Sequence, residues 1–410
     1  MTLLLVMLIL YFSAPDLFEV AENHMLDIRF RLRGPEDPGS LVKIIFIDSS
    51  SLMTYGLRTE FREKLTQVID NVCAGGAKAV GLDFFFPGQS EQLDDSRRQL
   101  AETVEQCGNV VMGYNWDFNL TDVRLAHAEA IGRRRLLDAT RSLQEPGFTP
   151  ELVPREARVA EPLLLKHAAA VGYFTVIADI HKRAHKIPAA LTYNDALFFP
   201  FSLALARTYL QQQDYGIESD EQQKGIVGPE LGGLQMRPDS SGYLWLNFYG
   251  AGTAFESMRF DDAVNNGVSK DFVDGSIVLI GVSGGISGDL FATPFDPNTP
   301  GVVLHATAVA NALSNGFLWR DDLVRTIEVV IMVAFALLMG LLIPKLPPIW
   351  AIFLGPVLVG ILFLVSQEML IYAGMWLQLT CPLLLLLLLH LALLAARMRA
   401  AERLAAKLDS

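Results

Sequence analysis

The chain has 410 residues, of which 51% are hydrophobic, and a formal net charge of -12 at pH 7. That length allows roughly two to three domains, and the apolar share is high for a wholly soluble protein. The acidic balance argues against nucleic acid, or an anionic membrane surface, as the partner.

The chain opens on MTLLLVMLILYF, apolar from Thr2 to Phe12. It lacks the basic residues that open a signal peptide and shows no small-residue cleavage site. Residues 1–20 therefore read as an uncleaved transmembrane helix, short for a full crossing and so with a start further upstream. Residues 21–323 read as one extracytoplasmic domain.

Within that domain LVKIIFID (41–48) is a buried strand, and FREKLTQVIDNVCAGG (61–76) has Phe61, Leu65, Val68, Ile69 and Val72 at helical spacing before C-capping glycines. AKAVGLDFFF is a second strand, Asp94–Gly108 a second amphipathic helix and NVVMGY a third strand. This alternation predicts an α/β domain with a mainly parallel sheet and right-handed crossovers. Residues 115–166, with RRR at 133–135 and prolines at 146, 150, 154 and 162, read as an insertion on the rim. After it, AVGYFTVIAD (170–179) is expected to pair with RAHKIPAALTY (183–193), FFPFSLALARTYL to form a helix and YLWLNFYG a strand. IVLIGV is the last and most strongly buried strand, and VVLHATAVANALSNG a helix ending at Gly316.

Three apolar stretches come next, 324–343, 347–372 and 375–396, each long enough as a helix to cross ~30 Å of hydrocarbon. The tail, ARMRAAERLAAKLDS (397–410), carries Arg397, Arg399, Arg403 and Lys407, which places it in the cytoplasm and the domain outside. Its helix-forming composition, with Leu394, Met398, Ala401, Leu404 and Leu408 at three-to-four spacing, suits a short parallel coiled coil and hence a homodimer. It reads as the start of a linker whose continuation is absent.

The stretch SIVLIGVSGGISGDLFATPFDPNTPG (276–301) suggests a phosphate cradle. A Walker loop needs a lysine, and none lies between Asp271 and Lys345. The dinucleotide pattern fails on spacing, and prolines stand where a helix should begin. In open parallel sheets ligands gather at the carboxyl ends of strands. The expected site therefore comprises Asp48, Ser49, Asp83, Ser283, Gly284, Asp289 and His305. Asp48 and Asp83 have the chemistry of a metal-holding or acid and base pair, but strand-end aspartates also cap the loop or helix that comes after the strand, and the structural role is favoured. The histidines form no metal-binding spacing, and no cofactor is expected. His390, among leucines in the last span, should face another helix. Cys73 and Cys107 both close predicted helices, and whether they pair is left open.

In order, LDIRFRLRG, IIFIDSSSL, GAKAVGLDFFF, LFFPFSLALARTYL, LWLNFYG, FDDAVNNG and the 274–313 segment, with three spans after them, resemble the CHASE type-two sensory domain of bacterial membrane receptors over about residues 20–396. The resemblance implies an extracytoplasmic sensor whose spans lead to a cytoplasmic output: a nucleotide cyclase, histidine kinase, diguanylate cyclase or Ser/Thr kinase. No catalytic domain is expected within the 410 residues. The stimulus is an extracytoplasmic ligand or envelope protein, the spans meet membrane lipid, and the setting is the bacterial inner membrane. The alternative is a scaffolding membrane protein whose external domain binds an envelope partner, with the insertion as docking surface. An ectoenzyme would rest on Asp48 and Asp83 alone.

Overall fold

In a computed structural model, residues 2–14, 16–56, 59–84, 95–117, 156–158, 162–179, 181–193, 196–220, 225–284 and 290–408 are described. The chain begins with helices α1 (Thr2–Ser13) and α2 (Asp16–Arg33), bent by 88° at the break between them. Residues 1–20, expected as a single helix, thus hold α1 and the start of α2. The packing divides the chain into two compact units: Gly34–Phe317, and Met1–Arg33 with Leu318–Ser410.

The first of these is built on β1 (Val42–Ile47), α3 (Ser49–Tyr55), α4 (Thr59–Ala74), β2 (Ala79–Asp83), α5 (Asp95–Cys107), β3 (Val110–Asp117), β4 (Glu156–Arg158), β5 (Ala170–Tyr173), α6 (Phe201–Tyr209), β6 (Glu256–Arg259), β7 (Ile277–Val282) and α7 (Gly301–Ser314). The sheet runs in the order β6-β1-β7-β2-β3, with β5 parallel and β4 antiparallel to β3. All neighbours from β6 to β3 are parallel. Such a sheet must be covered on both faces, and period-two alternation divides its side chains accordingly. Ile45, Ile47, Val80, Leu82, Val278 and Ile280 pack with α4 and α5. Val42, Ile44, Ala79, Ile277 and Leu279 pack with α6 and α7.

Two expectations are corrected by this arrangement, and one open question is closed. Ala170–Tyr173 does not pair with the 183–193 segment; it joins the main sheet beside β3, because the apolar Ala-Val-Gly-Tyr run fits a strand buried on both sides. Only Ile177–Ala178 pairs with Ala184–Pro188. The helix expected to end at Gly316 ends at Ser314, with Asn315 taking the left-handed cap conformation at φ 52°, a role asparagine can fill. The parallel crossovers bring the carboxyl ends of α4 and α5 together, and Cys73 and Cys107 form a disulfide with their Cα atoms 5.8 Å apart. Most of the expected 115–166 insertion lies outside the described residues.

The second unit adds α8 (Asp322–Leu342), α9 (Pro348–Ala373) and α10 (Thr380–Leu408). These three helices are long and apolar enough to cross a membrane, and their large apolar side chains face outward at Leu341, Phe353, Leu364 and Leu391, as lipid contact requires. The third span begins at Thr380, not 375, because Gly374 (φ 61°) ends α9 and residues 375–379 are not helical, with the Trp376 N–H donating to the Trp319 carbonyl. His390 lies against Gly355 of α9, so the polar residue of the last span does face another helix.

Candidate functional site at the carboxyl edge of the sheet

Three adjacent parallel strands place the expected residues. The register sets Ile47 of β1 opposite Val282 of β7, and Asp83 of β2 opposite Gly281. The backbone N–H of Ser283 donates to the Ile47 carbonyl at 3.0 Å, continuing the ladder by one residue. Asp48, Ser283 and Asp83 therefore share one edge, the end where open parallel sheets bind ligands.

Asp48 is fully occupied there. It is the N-cap of α3, and its Oδ1 accepts from the Ser51 N–H and the Ser51 hydroxyl, each at 2.9 Å. Its Oδ2 accepts from Arg259 Nε at 2.9 Å, from the end of edge strand β6. Burial alone would raise the Asp48 carboxyl, but the hydrogen bonds from Ser51 and Arg259 outweigh it and hold the group below the usual carboxylate range. This is the capping role rather than a free acid or base. Asp48→Ala is expected to lower stability by about 1–2 kcal/mol through the lost cap, read as a lower denaturation midpoint in detergent solution. Ser49, in the first turn of α3, is exposed.

Asp83 points to the opposite face. Leu82 packs on the α4 side, so the next residue turns toward α7, where His305 Nε2 lies 3.9 Å from Asp83 Oδ1. The strand between them carries Gly281, where a Cβ would lie 2.6 Å from Val302 Cγ2. Only glycine lets the first turn of α7 come this close to the sheet. The His305 ring stands 5.6 Å from the Phe174 ring and 5.5 Å from the Phe201 ring. Burial in these apolar surroundings pushes the imidazole down to about 4, so it is neutral near pH 7 and offers one donor and one acceptor.

Beyond Ser283 the backbone turns at Gly284 (φ 117°), where any side chain would be strained and would meet Leu290 Cδ2 at 2.9 Å. Asp289 lies outside the described residues. The structure thus joins Asp83 with His305 and sets Ser283 beside the Asp48 strand. It adds Arg259, Ser51, Phe174 and Phe201, which sequence reading did not select. Among the described residues, no group of three His, Cys, Asp or Glu side chains is placed to share a metal ion.

A parallel sheet of this kind, joined to apolar helices, has a counterpart among known families. The CHASE2 domain family model matches residues 1–342. The chain belongs to the CHASE2 family. No curated protein and no solved structure matches it. The CHASE2 match ends at the last residue of α8, so α9 and α10 lie beyond it, whereas the sequence motifs resemble the family as far as residue 396. A CHASE2 domain is an extracellular sensor in signal transduction. With three helices suited to crossing a membrane, this CHASE2 chain is a membrane protein with an extracellular sensory domain.

Proposed function

We propose that the chain is the sensing and membrane-crossing part of a bacterial receptor. An extracytoplasmic stimulus is received at the carboxyl edge of the sheet and passed through α8–α10 to a cytoplasmic output, a nucleotide cyclase, histidine kinase, diguanylate cyclase or Ser/Thr kinase. The observation that carries this reading is the Asp83–His305 pair. A carboxylate and a neutral imidazole lie together at the ligand-gathering end of the sheet, on the helix that only residues 315–321 separate from α8. The basic residues after the last span favour a cytoplasmic C-terminus in the inner membrane, and the heptad-like tail favours a homodimer.

A stimulus moves such a receptor only if it binds one arrangement better than another. The test fuses the chain through α10 to a nucleotide cyclase and measures cyclic nucleotide on addition of envelope extract. Asp83→Ala and His305→Ala should each abolish the response while the circular dichroism spectrum stays that of the wild type. An undiminished response in both would place the stimulus elsewhere.

A further inference from the structure

Two chain segments connect Gly34–Phe317 to the membrane unit: α2, which ends at Arg33, and the segment beginning at Leu318. Within the membrane unit both bind the same short turn, residues 373–380, which leads into α10. From α2, the Glu22 carboxylate accepts from the N–H of Leu379 at 3.0 Å, the N–H of Thr380 at 2.9 Å and the Thr380 hydroxyl at 2.7 Å. Arg29, further along α2, donates to the carbonyls of Leu377 at 2.8 Å and Ser366 at 2.6 Å.

The second segment holds the other side of the turn. The Trp319 N–H donates to the Gly374 carbonyl at 3.0 Å, and the Trp376 N–H donates back to the Trp319 carbonyl at 3.1 Å. Glu328, in the second turn of α8, accepts from the Gln378 N–H at 2.7 Å. Glu22, Arg29 and Glu328 are each at most 1% exposed. The opening N–H groups of a helix need acceptors, but a local residue would serve. α8 shows this, since its own Asp321 accepts from the Val324 N–H at 2.9 Å. α10 instead takes its cap from a residue 358 positions away in the chain, at the desolvation cost of a buried carboxylate. Stability of α10 alone does not call for that arrangement.

We infer that the 373–380 turn is the point of transmission: both exits from the sensory unit are fastened to the start of α10, so displacement of either exit displaces the last span. α10 is continuous over 29 residues, about 43 Å at ~1.5 Å per residue, so movement imposed at Thr380 is delivered to the far end as motion of one rod. Glu22 and Glu328 are positioning residues in this device. The inference rests on the receptor reading and supplies the coupling that a receptor requires.

The test uses the full chain in lipid nanodiscs, carrying Cys381→Ser and Met398→Cys, with no stimulus and no output domain. Met398 is 65% exposed on α10 near its C-terminal end. Two quantities are read: amide hydrogen exchange of residues 378–380, and the rate at which a membrane-impermeant maleimide labels the introduced thiol. Glu22→Ala should speed exchange at Leu379 and Thr380 by about tenfold or more and change the labelling rate severalfold. Glu22→Gln, which keeps an acceptor, should restore most of both. A thiol placed by Met53→Cys on the sensory unit should label at the wild-type rate. Faster exchange with unchanged labelling at position 398 would reduce Glu22 to a local cap and overturn the proposal, as would unchanged exchange. If Glu22→Ala does not fold, Thr380→Ala removes only the hydroxyl bond and should show both changes at smaller amplitude; its silence counts against the proposal equally. Because no stimulus is applied, failure of the Asp83–His305 site leaves this result intact, and failure here leaves that site intact.

Discussion

Lowering the pH from 6.5 to about 4 should cost the wild-type chain about 3 kcal/mol more stability than a His305→Leu chain. In the folded protein the imidazole stays neutral down to about pH 4 because it is buried against Phe174 and Phe201. Asp83, at 3.9 Å, is beyond hydrogen-bond reach and does not offset that burial. In the unfolded chain the same group takes up its proton near 6.5. Between those two values the unfolded state holds the extra proton, so the stability contributed by His305 is present above 6.5, declines as the pH falls and is gone at about 4. Denaturant titrations of both chains in detergent, above, within and below this window, measure the difference. Parallel pH profiles would mean that the folded protein holds an imidazolium paired with the Asp83 carboxylate, and the site would then present a charged pair to its ligand.

The surroundings of His305 also mark how far the sequence reaches. β1, β2 and β7 are legible because each is a short branched apolar run buried on both faces, and α4 because Phe61, Leu65, Val68, Ile69 and Val72 keep one helical face. The carboxyl edge is implied by those strands once the sheet is parallel. The neighbours of the edge residues are not, because sheet order is a long-range property. Arg259 meets Asp48 from 211 residues away, at the end of an edge strand whose ESMR sequence has no strand signature. The ring environment of His305 likewise comes from Phe174, the residue after β5, and from α6, and the placement of Ala170–Tyr173 depends on what β3 leaves unpaired.

The disulfide was undecidable for the same reason. Two helix-ending cysteines meet only if consecutive crossovers lie on one face of the sheet, which the packing of α4 and α5 on Val80 and Leu82 establishes. In the membrane unit, hydropathy finds three spans but passes over the charged residues that hold them together. A readable signal was present: Glu328 interrupts an apolar stretch, and a carboxylate inside a span requires a partner. Arg320, Tyr11 and the Gln378 N–H could not be named from spacing, since only the folded unit brings α1, α8 and the 373–380 turn together.

Glu328→Ala or Arg320→Ala should each destabilise the chain by about 3–5 kcal/mol, because each leaves its partner's charge buried and unpaired. Arg320 donates through Nε to Glu328 Oε1 at 3.1 Å and through Nη2 to Oε2 at 2.8 Å, and Nη2 also donates to the Tyr11 hydroxyl at 2.9 Å. Tyr11 in turn donates to Glu328, so α1, the segment after Leu318, α8 and the turn before α10 share one carboxylate. The paired change Arg320→Met with Glu328→Leu removes both charges and keeps the volume. Its cost should fall to about 1–3 kcal/mol, set by the Gln378 N–H and Tyr11 hydroxyl that lose their acceptor. Unfolding the wild type, Arg320→Met, Glu328→Leu and the paired chain in mixed detergent micelles completes the double-mutant cycle, and a coupling of about 3 kcal/mol or more is the expected result. Additive costs would mean that Arg320 and Glu328 act separately. The carboxylate would then be held by Gln378 and Tyr11, and Arg320 would add nothing to the link between the Leu318 exit and the start of α10. With coupling, a pull on Arg320 from the sensory side is borne directly by the carboxylate that holds Gln378, two residues before the last span begins.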